Sequence, residues 1–135
     1  MMNMAQENNS ASKLNMTASL EDYLEAVFVL SEKNSDVRLT DIAAMLGVSK
    51  PSANRAVNTL TQNGFLSHET YGAITLTPEG ETYAANVLHR HKLLKHFLSV
   101  TLGMNEKTAE EDACKMEHVM SAETIEKLYE YLERQ

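Results

Sequence analysis

The stretch Leu39-Thr40-Asp41-Ile42-Ala43-Ala44-Met45-Leu46-Gly47-Val48-Ser49-Lys50-Pro51-Ser52-Ala53-Asn54-Arg55-Ala56-Val57-Asn58-Thr59-Leu60 decides the fold. Ile42, Ala43 and Leu46 recur at helical spacing, so Leu39 to Leu46 reads as a short helix opened by Thr40 and stopped by Gly47. Val48 sits in the turn. Ser49 is placed to cap a second helix, and Pro51 falls in its first turn, where a missing N–H does no harm. Ala53, Val57 and Leu60 make the apolar stripe of that helix, which should run to about Asn63 before Gly64. Two small residues, Ala43 and Ala53, let the helices cross closely. This is a helix-turn-helix.

Outward from it, Phe65 to His68 and Ala73 to Thr77 alternate apolar with polar around Thr70-Tyr71-Gly72, the pattern of a short hairpin. The whole then reads as a winged helix-turn-helix. Before it, Leu20, Tyr23, Leu24, Val27, Phe28 and Leu30 predict a helix from Ser19, its candidate cap, to Lys33, with a turn at Asn34-Ser35-Asp36. After it, Thr77-Pro78-Glu79 should start a long helix reaching Leu102 and ended by Gly103. Two further helices are expected at Glu106–Val119 and Ala122–Arg134, the second capped by Ser121. Residues 1–18 are poor in apolar groups and read as a flexible tail, with Met16 an alternative start. The expected plan is mainly α: a tail at 1–18, a winged helix-turn-helix domain at 19–78 and a helical domain at 79–135.

The chain has 135 residues and a net charge of −7, which taken alone disfavours nucleic acid. Its distribution says otherwise. Between Ile42 and His68 there are two cations, Lys50 and Arg55, and no acid, whereas Gly103 to Gln135 holds nine acids against four bases. Distant charge is screened beyond about 10 Å, so a locally basic element on an acidic body can still bind DNA. The polar face of the second helix presents Ser49, Lys50, Ser52, Asn54, Arg55 and Asn58. Ser49 and Ser52 suit a phosphate, and Asn54 and Arg55 suit base edges. A solvated polar face is the plainer alternative. No apolar run approaches the ~20 residues that span a bilayer, and one cysteine excludes an internal disulfide and fits a reducing cytoplasm.

Chemistry concentrates in Asp112-Ala113-Cys114-Lys115-Met116-Glu117-His118. Cys114, Glu117 and His118 are spaced i, i+3, i+4, which puts thiol, carboxylate and imidazole on one helix face, a transition-metal ligand set. Three donors on one helix rarely close a site alone. Asp22 and Glu25 form an i, i+3 carboxylate pair, which by itself reads as a solvated face. His91 lies midway along the long helix, where a lone histidine usually belongs to the surface or the core.

Four segments in order change that weighting: Ser19-Leu20-Glu21-Asp22-Tyr23-Leu24-Glu25-Ala26, the helix-turn-helix from Leu39 to Leu66, Arg90-His91-Lys92-Leu93-Leu94 with Phe97-Leu98, and Glu111 to Ser121. With them the chain resembles the diphtheria-toxin-repressor family of metal-dependent transcriptional regulators, in its shorter manganese-transport-regulator branch without an SH3-like domain. The resemblance implies metal ligands at Asp22, Glu25, His91, Cys114, Glu117 and His118, with one or two Mn²⁺ or Fe²⁺ ions per subunit. It implies a helical metal-binding and dimerisation domain, a homodimer, a double-stranded DNA operator, and repression of metal-uptake genes in the cytoplasm. The manganese branch typically has Glu at the position of Cys114, and the iron branch commonly has Met at that of Asp22; this chain mixes the two. Lys95 stands where the iron branch's second site uses Glu, and Glu110 where it has a histidine, so that second site is not expected in its iron-branch form. Leu88, Leu93, Leu94, Phe97, Leu98, Ile125, Leu128, Tyr129 and Leu132 are the expected dimer surface.

An enzyme fits less well. No histidine has Glu three residues before it, as a di-iron bundle needs, and there is no phosphate loop or nucleophile elbow. A winged-helix DNA-binding regulator that needs no metal is the remaining alternative.

Overall fold

The computed structural model describes residues 14–69 and 72–135. The expected tail, as far as residue 13, and Thr70-Tyr71 of the hairpin turn lie outside the described residues. Six α-helices and one hairpin are seen among them: α1 (Ala18–Lys33), α2 (Leu39–Leu46), α3 (Lys50–Gln62), β1 (Leu66–His68), β2 (Ile74–Leu76), α4 (Pro78–His96), α5 (Glu106–Met116) and α6 (Ala122–Glu133). They divide into two compact units, one ending at Tyr83 and one running from Ala84 to Gln135, so that the boundary falls inside α4. The chain is mainly α, with a winged helix-turn-helix followed by a helical unit.

In the first unit α1 is capped two residues earlier than expected. Thr17, rather than Ser19, accepts from the Leu20 N–H at 3.1 Å. The helix buries Tyr23, Leu24, Ala26 and Val27. At α2 the cap is Arg38, not Thr40: its backbone N–H donates to Asp41 Oδ2 at 2.9 Å. Gly47 ends α2 at φ 67°, a conformation glycine adopts without strain. Ser49 Oγ then accepts from the Ser52 N–H at 3.2 Å and starts α3. Ile42, Ala43, Ala53, Val57 and Leu60 are buried where the helices cross.

The hairpin pairs Leu66 with Leu76, Ser67 with Thr75 and His68 with Ile74. Ile74 N–H also donates to the Val37 carbonyl at 2.8 Å, which ties the wing to the segment before α2. Thr77 joins hairpin to helix: its hydroxyl donates to Gly64 O at 2.6 Å and accepts from Gly80 N–H at 3.0 Å. Gly80 lies so near β1 that a Cβ there would come 1.9 Å from the Phe65 carbonyl oxygen. Glu21, buried in α1, accepts from the Tyr83 hydroxyl at 2.7 Å.

In the second unit two expectations fail. The long helix does not run on to Leu102 as α-helix. It is α-helical to His96, then widens into a π-helical turn at Phe97–Thr101 before Gly103 turns the chain at φ 74°. And α5 stops at Met116, not Val119, so Glu117 is its C-cap and His118 lies in the turn beyond. The core joins Leu93, Leu94, Ala113 and Ile125, flanked by Met116, Met120, Leu128 and Leu132. Leu93, Leu94, Leu98 and Ile125 are therefore covered within one chain and leave the expected dimer surface, while Tyr129 stays exposed.

Candidate metal centre and DNA interface

The second unit builds its site from three places. α4 supplies His91, which faces inward because Leu94 and Val87, a turn to either side, are core residues. Asn105 starts α5 by accepting from the Thr108 N–H at 2.8 Å, and that helix carries Glu110 and Cys114 one turn apart. The end of α5 supplies Glu117, whose N–H still donates to Ala113 O at 3.0 Å, and then His118.

These side chains form a continuous run. Cys114 Sγ is 3.7 Å from Glu110 Oε2, which is 2.9 Å from His91 Nε2. The other ring nitrogen, His91 Nδ1, is 2.7 Å from Glu117 Oε1, and Glu117 Oε2 is 3.5 Å from His118 Nε2. Glu117 is 1% exposed and His91 8%, so a carboxylate and an imidazole are withdrawn from water together. Such burial is tolerable only when the charges pair. The hydrogen bond that His91 donates to Glu117 pushes its pKa up to about 9, against the effect of burial and with help from Glu110. Both ring nitrogens then donate. Glu110 is held below the usual carboxylate range: burial opposes this, but the His91 and Lys95 partners outweigh it. Lys95 Nζ lies 3.4 Å from Glu110 and 3.8 Å from Glu106.

His91, Glu110 and Cys114 each place one donor atom within 4.8 Å of the other two. Imidazole, carboxylate and thiolate at that separation fit a single divalent transition ion, whose donors each stand about 2.0–2.3 Å from the metal. Glu117 at the far ring nitrogen is then the partner that orients the imidazole. Of the expected ligands, His91, Cys114, Glu117 and His118 are thus brought into one cluster. Asp22 and Glu25 are half-buried on α1 in the first unit. Glu110 was not among the expected ligands; its spacing, four residues before Cys114, extends the same helix stripe and is the signal that could have pointed to it.

In the first unit the expected DNA face is presented to solvent. Ser49, Lys50, Asn54, Arg55 and Asn58 are exposed and Ser52 is half-buried. Arg55 Nη2 donates to Ser52 Oγ at 3.3 Å, and Ser49 Oγ to the same oxygen at 3.0 Å, so the three side chains brace one another at the start of α3.

A winged helix-turn-helix joined to a helical unit with a thiol, imidazole and carboxylate cluster defines a metal-responsive DNA-binding regulator. The family models agree. Residues 15–74 match the iron dependent repressor N-terminal DNA binding domain, and residues 77–134 match the iron dependent repressor metal binding and dimerisation domain. The chain belongs to the iron dependent repressor family and is a metal-dependent transcriptional regulator. It is 38% identical over 120 residues to an HTH-type transcriptional regulator of Methanocaldococcus jannaschii, covering 88% of this chain and 96% of that one. It is 32% identical over 112 residues to the HTH-type transcriptional regulator MntR of Bacillus subtilis, covering 83% and 78%. A solved structure of a manganese-dependent transcriptional repressor in complex with manganese superimposes with a TM-score of 0.77 at 28% identity over 84% of this chain. The chain spans about half the length of that solved one, 52%. No helix among the described residues is long and apolar enough to cross a membrane.

Proposed function

We propose that this regulator binds its operator as a homodimer when loaded with Mn²⁺ or Fe²⁺ and represses metal-uptake genes in the cytoplasm. The observation that carries it is the His91–Glu110–Cys114 donor cluster, backed by buried Glu117, in a chain whose α3 surface is free of acids. Asp22, Glu25 and His118 complete the ligand set, so that ligands come from both units. The domains act as 19–78 for DNA and 79–135 for metal and dimerisation.

The residues suggest how loading matters. Without metal, the His91 proton is the counter-charge for Glu110 and Glu117. His91 gives that proton up when it ligates, and the carboxylates then need another cation. A bound divalent ion supplies that charge and removes repulsion worth about 1 kcal/mol or more per carboxylate pair. Asp22 and Glu25, committed to the same site, tie α1 to the second unit and narrow the range of arrangements open to it. In a two-fold dimer this sets the two α3 helices near one DNA turn, ~34 Å apart. Metal and DNA affinities are reciprocally coupled in such a scheme.

The test is DNA binding to the region upstream of the chain's own gene, titrated anaerobically with Mn²⁺ and Fe²⁺ separately. Either metal should tighten binding at least tenfold, and His91→Ala should abolish the response. A response to metal that survives in His91→Ala overturns the site assignment. Binding that ignores both metals would favour the metal-independent regulator instead.

A further inference from the structure

In the second unit a cation stands beside the donor cluster without belonging to it. Lys95 lies one turn beyond His91 on α4, and Glu106, Glu110 and Cys114 follow one another at four-residue spacing along α5. Lys95 Nζ is 3.4 Å from Glu110 Oε1 and 3.8 Å from Glu106 Oε1. His91 Nε2 and Cys114 Sγ meet the other oxygen, Glu110 Oε2, at 2.9 and 3.7 Å. The two oxygens of one carboxylate are thus divided: one faces the other donors and one is held by an ammonium. We infer that Lys95 is a positioning residue that sets metal preference: by holding Oε1 it leaves Glu110 one oxygen to offer, and so turns the cluster away from Mn²⁺ and towards Fe²⁺ and the later divalent ions. This rests on the metal-centre reading above and deepens it.

The pair differs from ordinary surface charge. Lys107 and Glu111 show the ordinary case: both are exposed, 3.8 Å apart, on one helix. Lys95 and Glu110 are half-buried and join two helices, so water competes less for them and the link fixes the carboxylate towards α4. Both ends are anchored. The Ser99 hydroxyl donates to the Lys95 carbonyl at 2.8 Å where α4 passes into the π-helical turn, and Asn105 caps α5. Carboxylate oxygens suit Mn²⁺, whereas thiolate and imidazole hold the later first-row ions more tightly. In a cluster that already offers a thiolate and an imidazole, withholding one oxygen therefore costs Mn²⁺ more than Fe²⁺ or Co²⁺. The charge of Lys95 acts differently. It repels every divalent ion alike, which lowers affinities without changing their ratio. The ratio between two metals thus reports the withheld oxygen and not the charge. Groups that orient a ligand in this way tune metal affinity about 10–100-fold.

The test is a competition between two metals on the full chain. The protein is loaded with Co²⁺, whose bond to Cys114 gives a thiolate charge-transfer band, and Mn²⁺ is titrated against it until the band is lost. Lys95→Gln should move the ratio of Mn²⁺ to Co²⁺ affinity about tenfold towards Mn²⁺. Lys107→Gln, an equal charge loss at an exposed position of α5, should leave the ratio unchanged. In a Glu110→Gln background, Lys95→Gln should move the ratio no further, because Lys95 acts only through that carboxylate. Circular dichroism of each variant checks folding, and Lys95→Met takes over where Lys95→Gln misfolds. An equal gain for both metals in Lys95→Gln, with the ratio unmoved, would make Lys95 a bystander charge and overturn the inference while the metal centre stands. A shift that survives in the Glu110→Gln background overturns it as well. A wild-type protein with Co²⁺ that shows no thiolate band would remove Cys114 from the ligands and overturn the metal-centre reading itself.

Discussion

The two units place their chemistry in opposite ways. The first keeps its working side chains in water: Lys50, Asn54, Arg55 and Asn58 are exposed on α3, while the core beneath is apolar apart from Glu21, which accepts from the Tyr83 hydroxyl. The second puts charge inside, where His91 and Glu117 are buried against each other beside the Leu93–Leu94–Ala113–Ile125 core. Recognition and stability are therefore separable in one unit and fused in the other. A reader of DNA needs long polar side chains that water can release cheaply. A metal-responsive unit needs ligands whose charge is unbalanced until the cation arrives.

The hardest test of this contrast is Glu117→Ala. It leaves the His91 imidazolium buried without its nearest carboxylate, so the metal-free protein should lose about 3 kcal/mol on thermal denaturation, and metal-stimulated DNA binding should vanish. Little change in melting would break the claim that site and core are fused. Arg55→Ala is the counterpart on the other side. DNA binding should weaken by about 1–2 kcal/mol in an anisotropy titration, while the melting midpoint and metal stoichiometry stay put, as expected of an exposed residue.

A change of pH sharpens the contrast without a mutation. His91 is raised by folding from 6.5 to about 9. Its contribution to metal-free stability is thus complete below pH 6.5 and is lost as pH climbs through 9. Metal must displace the same proton, so affinity measured by titration calorimetry should rise about tenfold per pH unit from 6.5 towards 9. The smallest effects come from paired caps. Ser49→Ala and Asn105→Ala should each cost about 1 kcal/mol of stability in denaturant melts. The first should weaken DNA binding at fixed metal, and the second should weaken metal binding by loosening the helix that bears Glu110 and Cys114.

Much of this was legible in the order of residues, and the boundary of legibility is physical. Gly47, Ser49 and Pro51 punctuate α2 and α3 through backbone rules that act over a few residues, so the helix-turn-helix could be read directly. The cluster of His91, Cys114, Glu117 and His118 was legible in part from spacing and in part from resemblance. Glu110 was missed because a carboxylate in an acidic helix looks like solvated surface until a partner such as His91 is seen 2.9 Å away. The shared roles of Leu93, Leu94 and Ile125 were misjudged because an apolar stripe does not say whether its cover comes from the same chain. Thr17 outcompeted Ser19 because neighbouring hydroxyls that can both cap differ by little in energy, and α2 opens at Arg38 rather than Thr40 because the Asp41 carboxylate accepts from the Arg38 backbone N–H.

The π-helical turn at Phe97–Thr101 carries one residue more than an α-helical turn would need. Shortening the chain by a single residue there would restore ordinary helix and leave every apolar side chain available. A residue removed instead from the α-helical stretch between His91 and that turn, where none is spare, would swing the following segment by about 100° around the axis. Glu110 and Cys114 would then come to rest away from His91. The protein could be spelled almost identically, fold as readily, and be deaf to metal.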